Sequence, residues 1–177
     1  MEFKNRENEL ITKDNIGDRE FFHPRSVAIV ATIIIITKKN TYVLMGQRGT
    51  GTPDFQGYWN MPCGYLDWNE SATEAVYREL YEETGLDLPE LLENSKVIKK
   101  DLEQPWYTNH LPDSNRQNVT LRFGAIVESD TLPFLTNVNC EPDEVSDLRW
   151  MKLDEVKDLE CAFNHHGILE EYVKTWR

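Results

Sequence analysis

The stretch GYLDWNESATEAVYRELYEETGL, Gly64–Leu86, carries six carboxylates and one arginine in 23 residues. Ser71 followed three residues later by Glu74 is a capping box, in which a hydroxyl and a carboxylate satisfy the first free amides of a helix. This predicts a helix over 72–84, with Gly85 as the residue that ends it. At roughly 100° per residue, Ala72, Ala75, Val76 and Leu80 fall on one side. Glu79, Glu82 and Glu83 fall on that side too, while Tyr77, Arg78 and Tyr81 lie round the flank and back. A solvated charge run would lie opposite the apolar stripe. Here the inward stripe is apolar in its first half and acidic in its second.

The acidic half sits in the last turns, where the helix dipole disfavours each anion by ~0.3–1 kcal/mol. Glu79 and Glu83 also repel one another at i,i+4. Arg78 can pair with Glu82 or with Glu70, which leaves carboxylates in surplus. Oxygen ligands of this kind suit a hard divalent cation such as Mg²⁺. From helical geometry alone, an acidic surface helix is an equal alternative.

Outward from this helix, the chain reads as strands and further helices. SVAIVATIIIIT, Ser26–Thr37, is too short to span a bilayer, and its β-branched content predicts a buried strand over 26–37. KKN turns the chain into a second strand over 41–48. GTGTPDFQG is a loop, and WNMPCGYLD is a short extended segment. SKVIKKDLE, NVTLRFGAIVES and DLRWMKL read as strands, with QPWYTNHLPDSNRQ as a loop between the first two. DEVKDL and NHHGILEEYVKTW read as helices. This order predicts an α/β protein, a mixed sheet between helices in an α/β/α sandwich. Residues 1–20 form a polar lead-in and residues 21–177 a single domain.

Nineteen basic against 31 acidic residues give a net charge of −12. That argues against nonspecific nucleic-acid or membrane-surface binding, which normally needs a basic face. An anionic substrate would need a bridging cation. MEFKNRENEL lacks the apolar core of a secretory signal. The three cysteines are odd in number and widely spaced, which predicts reduced thiols in a cytoplasmic protein. Cys161, His165 and His166 read as a core cysteine near two surface histidines rather than as a metal cluster.

The spacing within Gly64–Leu86 resembles the Nudix box, GX5EX7REUXEEXGU with U aliphatic, at all nine specified positions. The preceding GYWNMPCG, with Trp59, Pro62 and Gly64, is similar to the family's approach to the box. EPDEVSDLRWMKLDEV, Glu141–Val156, is similar to its flanking layout. The resemblance implies the same α/β/α sandwich around a mixed sheet. It also implies hydrolysis of a nucleoside diphosphate linked to another moiety, with Mg²⁺ or Mn²⁺.

By the same resemblance, Glu79, Glu82 and Glu83 bind metal, while Glu70 and Arg78 brace the loop against the helix. The carbonyl of Cys63 is a further metal ligand, at a position where the family often has glycine. A divalent cation would cancel the repulsion between glutamates and pyrophosphate and acidify water. A carboxylate must then take the water's proton. In the family this base is either a box glutamate or one in a later loop, here Glu144 or Glu141, each of which reads equally as a solvated loop charge.

Arg48 or Arg116 are candidates for binding a substrate phosphate. Trp106, Tyr107, Phe55 or Tyr58 are candidates for stacking on a base. Surface or core packing is the alternative for each. DSNRQNVT, Asp113–Thr120, is similar to a loop of ADP-ribose-hydrolysing and related sensor members and favours ADP-ribose or a nucleotide sugar. The expected partners are a small-molecule nucleotide, no nucleic acid and no membrane, and a homodimer through residues 1–48 fits the family. The alternative is a non-catalytic nucleotide-binding or sensor Nudix domain. Such domains usually lose box glutamates, and none is lost here.

Overall fold

Val27–Ile36, VAIVATIIII, lacks the apolar/polar alternation of a half-buried strand, and it becomes the central strand of the sheet, buried on both faces. The computed structural model describes residues 10–11, 21–22, 27–111, 118–136 and 143–176. Two short strands, β1 (Leu10–Ile11) and β2 (Phe21–Phe22), pair antiparallel with each other. The rest of the lead-in over 1–20 lies outside the described residues, as do Arg116, Cys140 and Glu141.

The main sheet runs β10 (Val145–Lys152), β4 (Thr41–Arg48), β3 (Val27–Ile36), β9 (Val119–Glu128), β7 (Lys96–Asp101). Three short strands extend it: β5 (Trp59–Asn60) on β4, β6 (Cys63–Tyr65) on β3, and β8 (Tyr107–Asn109) on β9. β3 and β9 are parallel from Val27↔Val119 to Ile36↔Glu128, and the other pairs are antiparallel, so the sheet is mixed.

Because side chains alternate along a strand, β3 feeds two cores. Ile29, Ala31, Ile33 and Ile35 pack with Ala75, Val76 and Leu80 of α1 (Ala72–Thr84) and with Leu88 and Leu91 of α2 (Leu88–Glu93). Val30 and Ile34 pack on the other face with Ile168, Leu169 and Tyr172 of α3 (His165–Lys174). Helices thus cover both faces, as the α/β/α reading requires. Ile29, Ile33, Ile34 and Ile35 are fully buried, and each stabilises the fold by about 1.5–3 kcal/mol relative to an exposed side chain. Among the described residues no helix is long and apolar enough to cross a membrane.

The helix over 72–84 forms with those bounds. Ser71 accepts from the Glu74 amide, Glu74 accepts from the Ser71 amide, and Gly85 closes the helix with a left-handed φ of 67°. Three elements differ from the sequence expectation. α2 begins at an Asp87 N-cap followed by Pro89, within a stretch not read as helix. β8 forms inside the presumed loop 104–117. In DEVKDL, only Val156–Asp158 is helical, as a 3₁₀ turn.

Candidate active site

Antiparallel pairing of β6 with β3, Val30↔Cys63 and Ile29↔Gly64, ties the start of the box to the central strand. The chain then loops through 66–71 into α1. Arg78 is 5% exposed, because this loop folds over the side of α1 that the helical wheel left as flank and back. Its guanidinium binds Glu70 through Nε and Nη2 (3.0 and 2.7 Å), and Nη2 also donates to the Tyr65 carbonyl (2.9 Å). Nη1 donates to Glu79 Oε1 (2.7 Å) and to Glu82 Oε2 (3.0 Å). The sequence offered Glu70 or Glu82 as a partner; the structure gives Arg78 both, and Glu79 as well. Burial works against the guanidinium's charge, but the bonds to Glu70 and the charge of Glu79 outweigh it and hold its pKa above the ordinary value.

Glycine at position 64 has a steric reason. A Cβ there would lie 2.1 Å from Glu79 Oε1, so the carboxylate rests directly on the glycine backbone. Burial pushes the Glu79 carboxyl up to about 7, with Arg78 opposing and the charges of Glu82 and Glu144 reinforcing the rise. Glu83 accepts from the Cys63 amide at 3.2 Å. Burial raises it well above the usual carboxylate range, and Glu79 and Glu144 push it further. The Cys63 thiol is itself pushed far up by burial and by Glu83, so it stays protonated and is no nucleophile.

Among the described residues no three His, Cys, Asp or Glu side chains already converge as a metal cage. The reason is visible in the bonds above: Glu79 and Glu82 each give one oxygen to Arg78. Their other oxygens, Glu79 Oε2 and Glu82 Oε1, accept no hydrogen bond among the described residues. With Glu83 and Glu144 nearby, the donor set is all oxygen and carries more negative charge than Arg78 and Arg48 cancel. It fits a hard divalent cation.

Glu83 and Glu144 line a cleft of about 400 Å³ at the end of the sheet where β3 and β9 begin and β4 ends. Arg48 reaches it from β4, with Nε donating to the Asp54 carbonyl (3.0 Å) and Nη2 to Asp54 Oδ1 (2.9 Å), and its guanidinium lies 4.9 Å from the Phe163 ring centre. Trp106 is not among the lining residues. Its ring packs 5.1 Å from Tyr172, on the α3 face of the sheet, so its surroundings are those of a core side chain.

Two lining residues escaped the sequence reading. Arg122, opposite Val30 in the parallel register, donates from Nη1 to Glu171 (2.6 Å) and stacks over Tyr107, while its Nε is buried without a partner. A charge at an inward position of the apolar run TLRFGAIV was the available signal. His165 is the other. Read as a surface histidine, it is 2% exposed and accepts from the Met61 amide at Nδ1 (2.9 Å).

A mixed sheet between helices, with an arginine-braced loop and a carboxylate-bearing helix at one end, is the architecture the resemblance implies. The chain belongs to the Nudix family: the family model for the NUDIX domain matches residues 27–172. It is 27% identical over 139 residues to Nudix hydrolase 19, chloroplastic, of Arabidopsis thaliana, and the match spans 78% of this chain but only 27% of that relative. It is 25% identical over 136 residues to the RNA pyrophosphohydrolase of Bartonella clarridgeiae, spanning 70% of this chain and 73% of the relative. The NUDIX domain of Shewanella oneidensis NrtR, solved in complex with ADP ribose, shares the fold with a TM-score of 0.65 at 22% identity, over 88% of this chain and 91% of that one.

Proposed function

We propose that the protein hydrolyses a diphosphate linkage in a nucleoside diphosphate joined to a second moiety, using Mg²⁺ or Mn²⁺. The observation that carries this is the pair of half-buried Glu79 and buried Glu83, held by Arg78 and the Cys63 amide beside a cleft large enough for a nucleotide. Two carboxylates whose charge is this disfavoured need a cation to stay ionised. Glu79, Glu82, Glu83 and the Cys63 carbonyl would hold it. A divalent cation bound there neutralises the carboxylates, polarises phosphoryl oxygens and makes water a stronger acid.

The chain's own groups do the rest. Arg78 fixes which oxygens of Glu79 and Glu82 face the substrate side. Glu144 takes the proton as the water oxygen bonds to one phosphorus and the bond from that phosphorus to the bridging oxygen breaks. Arg48 and Arg122 put positive charge along the cleft wall for the departing phosphate and its neighbour. Arg48, one of the two arginines considered for a substrate phosphate, lines the cleft, and so does Arg122.

ADP-ribose or a nucleotide sugar is the favoured substrate class. The NrtR domain that shares this fold holds ADP ribose, and Asn109, Asn118 and Thr120 offer the cleft neutral polar groups suited to hydroxyls. The relative named RNA pyrophosphohydrolase makes an RNA the competing substrate, against which the net charge of −12 weighs.

Product release from ADP-ribose, a nucleotide sugar, a dinucleoside polyphosphate, NADH, a nucleoside triphosphate and such an RNA tests this reading. Turnover is expected to require Mg²⁺ or Mn²⁺ and to fall by about 100-fold or more in a folded Glu83→Gln variant. Flat activity across the panel refutes hydrolysis, and nucleotide binding without turnover selects the sensor reading.

A further inference from the structure

His165 is the first residue of α3, lines the cleft and is 2% exposed. A backbone amide can only donate, so the 2.9 Å contact from Met61 N–H makes Nδ1 an acceptor. In a neutral imidazole the proton then sits on Nε2. Burial, reinforced by the charges of Arg48 and Arg122, pushes the ring's pKa down to about 3, so it is neutral at physiological pH. Among the described residues nothing accepts a hydrogen bond from Nε2, and that atom is not among the buried ones sealed off without a partner. A buried side chain therefore presents one fixed, uncharged donor to the cleft.

The backbone is bent to place it there. Phe163 and Asn164, immediately before α3, have φ of 54° and 56°. The left-handed region is tolerable for asparagine and unfavourable for a side chain as bulky as phenylalanine. Such conformations persist where the surroundings over-determine them, and they cluster at ligand sites. Here the surroundings are the Arg48 guanidinium over the Phe163 ring and Phe55 edge-on to it at 4.9 Å.

We propose that His165 reads the ligand of this cleft: its Nε2–H donates a hydrogen bond to an acceptor atom of the bound nucleotide. This rests on the nucleotide reading given above and assigns a recognition contact within it. A ring nitrogen or carbonyl of the base and an oxygen of the diphosphate offer the same acceptor chemistry, so separate probes distinguish them.

The test is ¹⁵N NMR of the histidine side chains in the full chain. There are four histidines, and the His165 signal is identified by its loss in His165→Gln. The free protein should show Nε2 protonated and Nδ1 accepting at neutral pH. AMP should shift the Nε2–H resonance; adenosine alone reproducing the shift places the acceptor on the nucleoside, and pyrophosphate alone reproducing it places the acceptor on the phosphates. His165→Phe should weaken AMP binding about three- to tenfold, the worth of one neutral hydrogen bond, and His165→Gln, which can still accept and donate, should recover part of the loss. If AMP leaves Nε2–H unmoved while the wild-type protein turns over substrate, the proposal is overturned and the hydrolase reading stands. A shift without turnover on any substrate does the reverse, and neither shift nor turnover overturns both. The measurement on unmodified protein decides the matter even if His165→Phe fails to fold.

Discussion

Replacing Arg78 with methionine keeps most of the side-chain volume and removes one charge and every donor. Arginine has five N–H donors, and the five bonds to Glu70, Glu79, Glu82 and Tyr65 use all of them. At 5% exposure, water cannot replace what is lost. Removing one partner of a buried ion pair costs about 3–5 kcal/mol, and here three carboxylates lose their counter-charge together. For a chain of this size each kcal/mol lowers Tm by about 2–4 °C, so a fall of about 10 °C or more is expected. The pH dependence has a definite sign. Burial already raises Glu79, and Arg78 opposes that rise; without Arg78 its folded-state pKa climbs further above the unfolded value, so the deficit is full at high pH and shrinks as pH falls and Glu79 protonates in both proteins. Urea unfolding of both proteins at pH 7.5 and pH 5, free of divalent cations, measures this. Arg78→Lys, with three donors and no fork, should lie between the two. A loss below about 1 kcal/mol, the worth of an exposed pair, or a deficit that grows at low pH, would refute the account.

Gly64→Ala would put a Cβ 2.1 Å from Glu79 Oε1, so kcat at saturating cation should fall about 10- to 100-fold through displacement of one carboxylate; an unchanged kcat would mean that Glu79 does not need this seat. His165 titrates at about 3 in the fold against an ordinary 6.5, so as pH falls the unfolded chain takes its proton first. Between pH 6.5 and 5 that removes about 1.6 kcal/mol of stability, and His165→Gln should be less acid-sensitive in urea unfolding than wild type by this amount; equal sensitivity counts against the buried neutral ring. Mg²⁺ at a hundred times its Kd should raise Tm by about 5–10 °C, and the shift should vanish in Glu83→Gln. A full shift in that variant would move the cation elsewhere.

The legible parts of the sequence were those whose causes are local. Ser71, Glu74 and Gly85 fix the ends of α1 within its own residues. The carboxylates were legible because their spacing places them along one helix. The burial of Arg78 was not, since it depends on how residues 65–70 fold across the helix, which no wheel contains. Trp106 reads as a stacking candidate in a loop, but its packing is set by Tyr172, contributed by the α3 layer. Arg122 and His165 acquire meaning only through distant pairing: one through the parallel register of β3 and β9, the other through Met61, 104 positions away in the chain.

Every bond that Arg78 makes ends inside Tyr65–Glu82. Much of the cleft wall is drawn from elsewhere: β3, β4, the loop over 51–53, β8, β9, the start of β10 and the start of α3. Selection, or a designer, can therefore rework one part with little disturbance to the other. Changes at Asn109, Arg122 or His165 alter the wall without removing any bond to Arg78. The brace around Arg78 is thus self-contained in its hydrogen bonds, whatever the wall around it becomes.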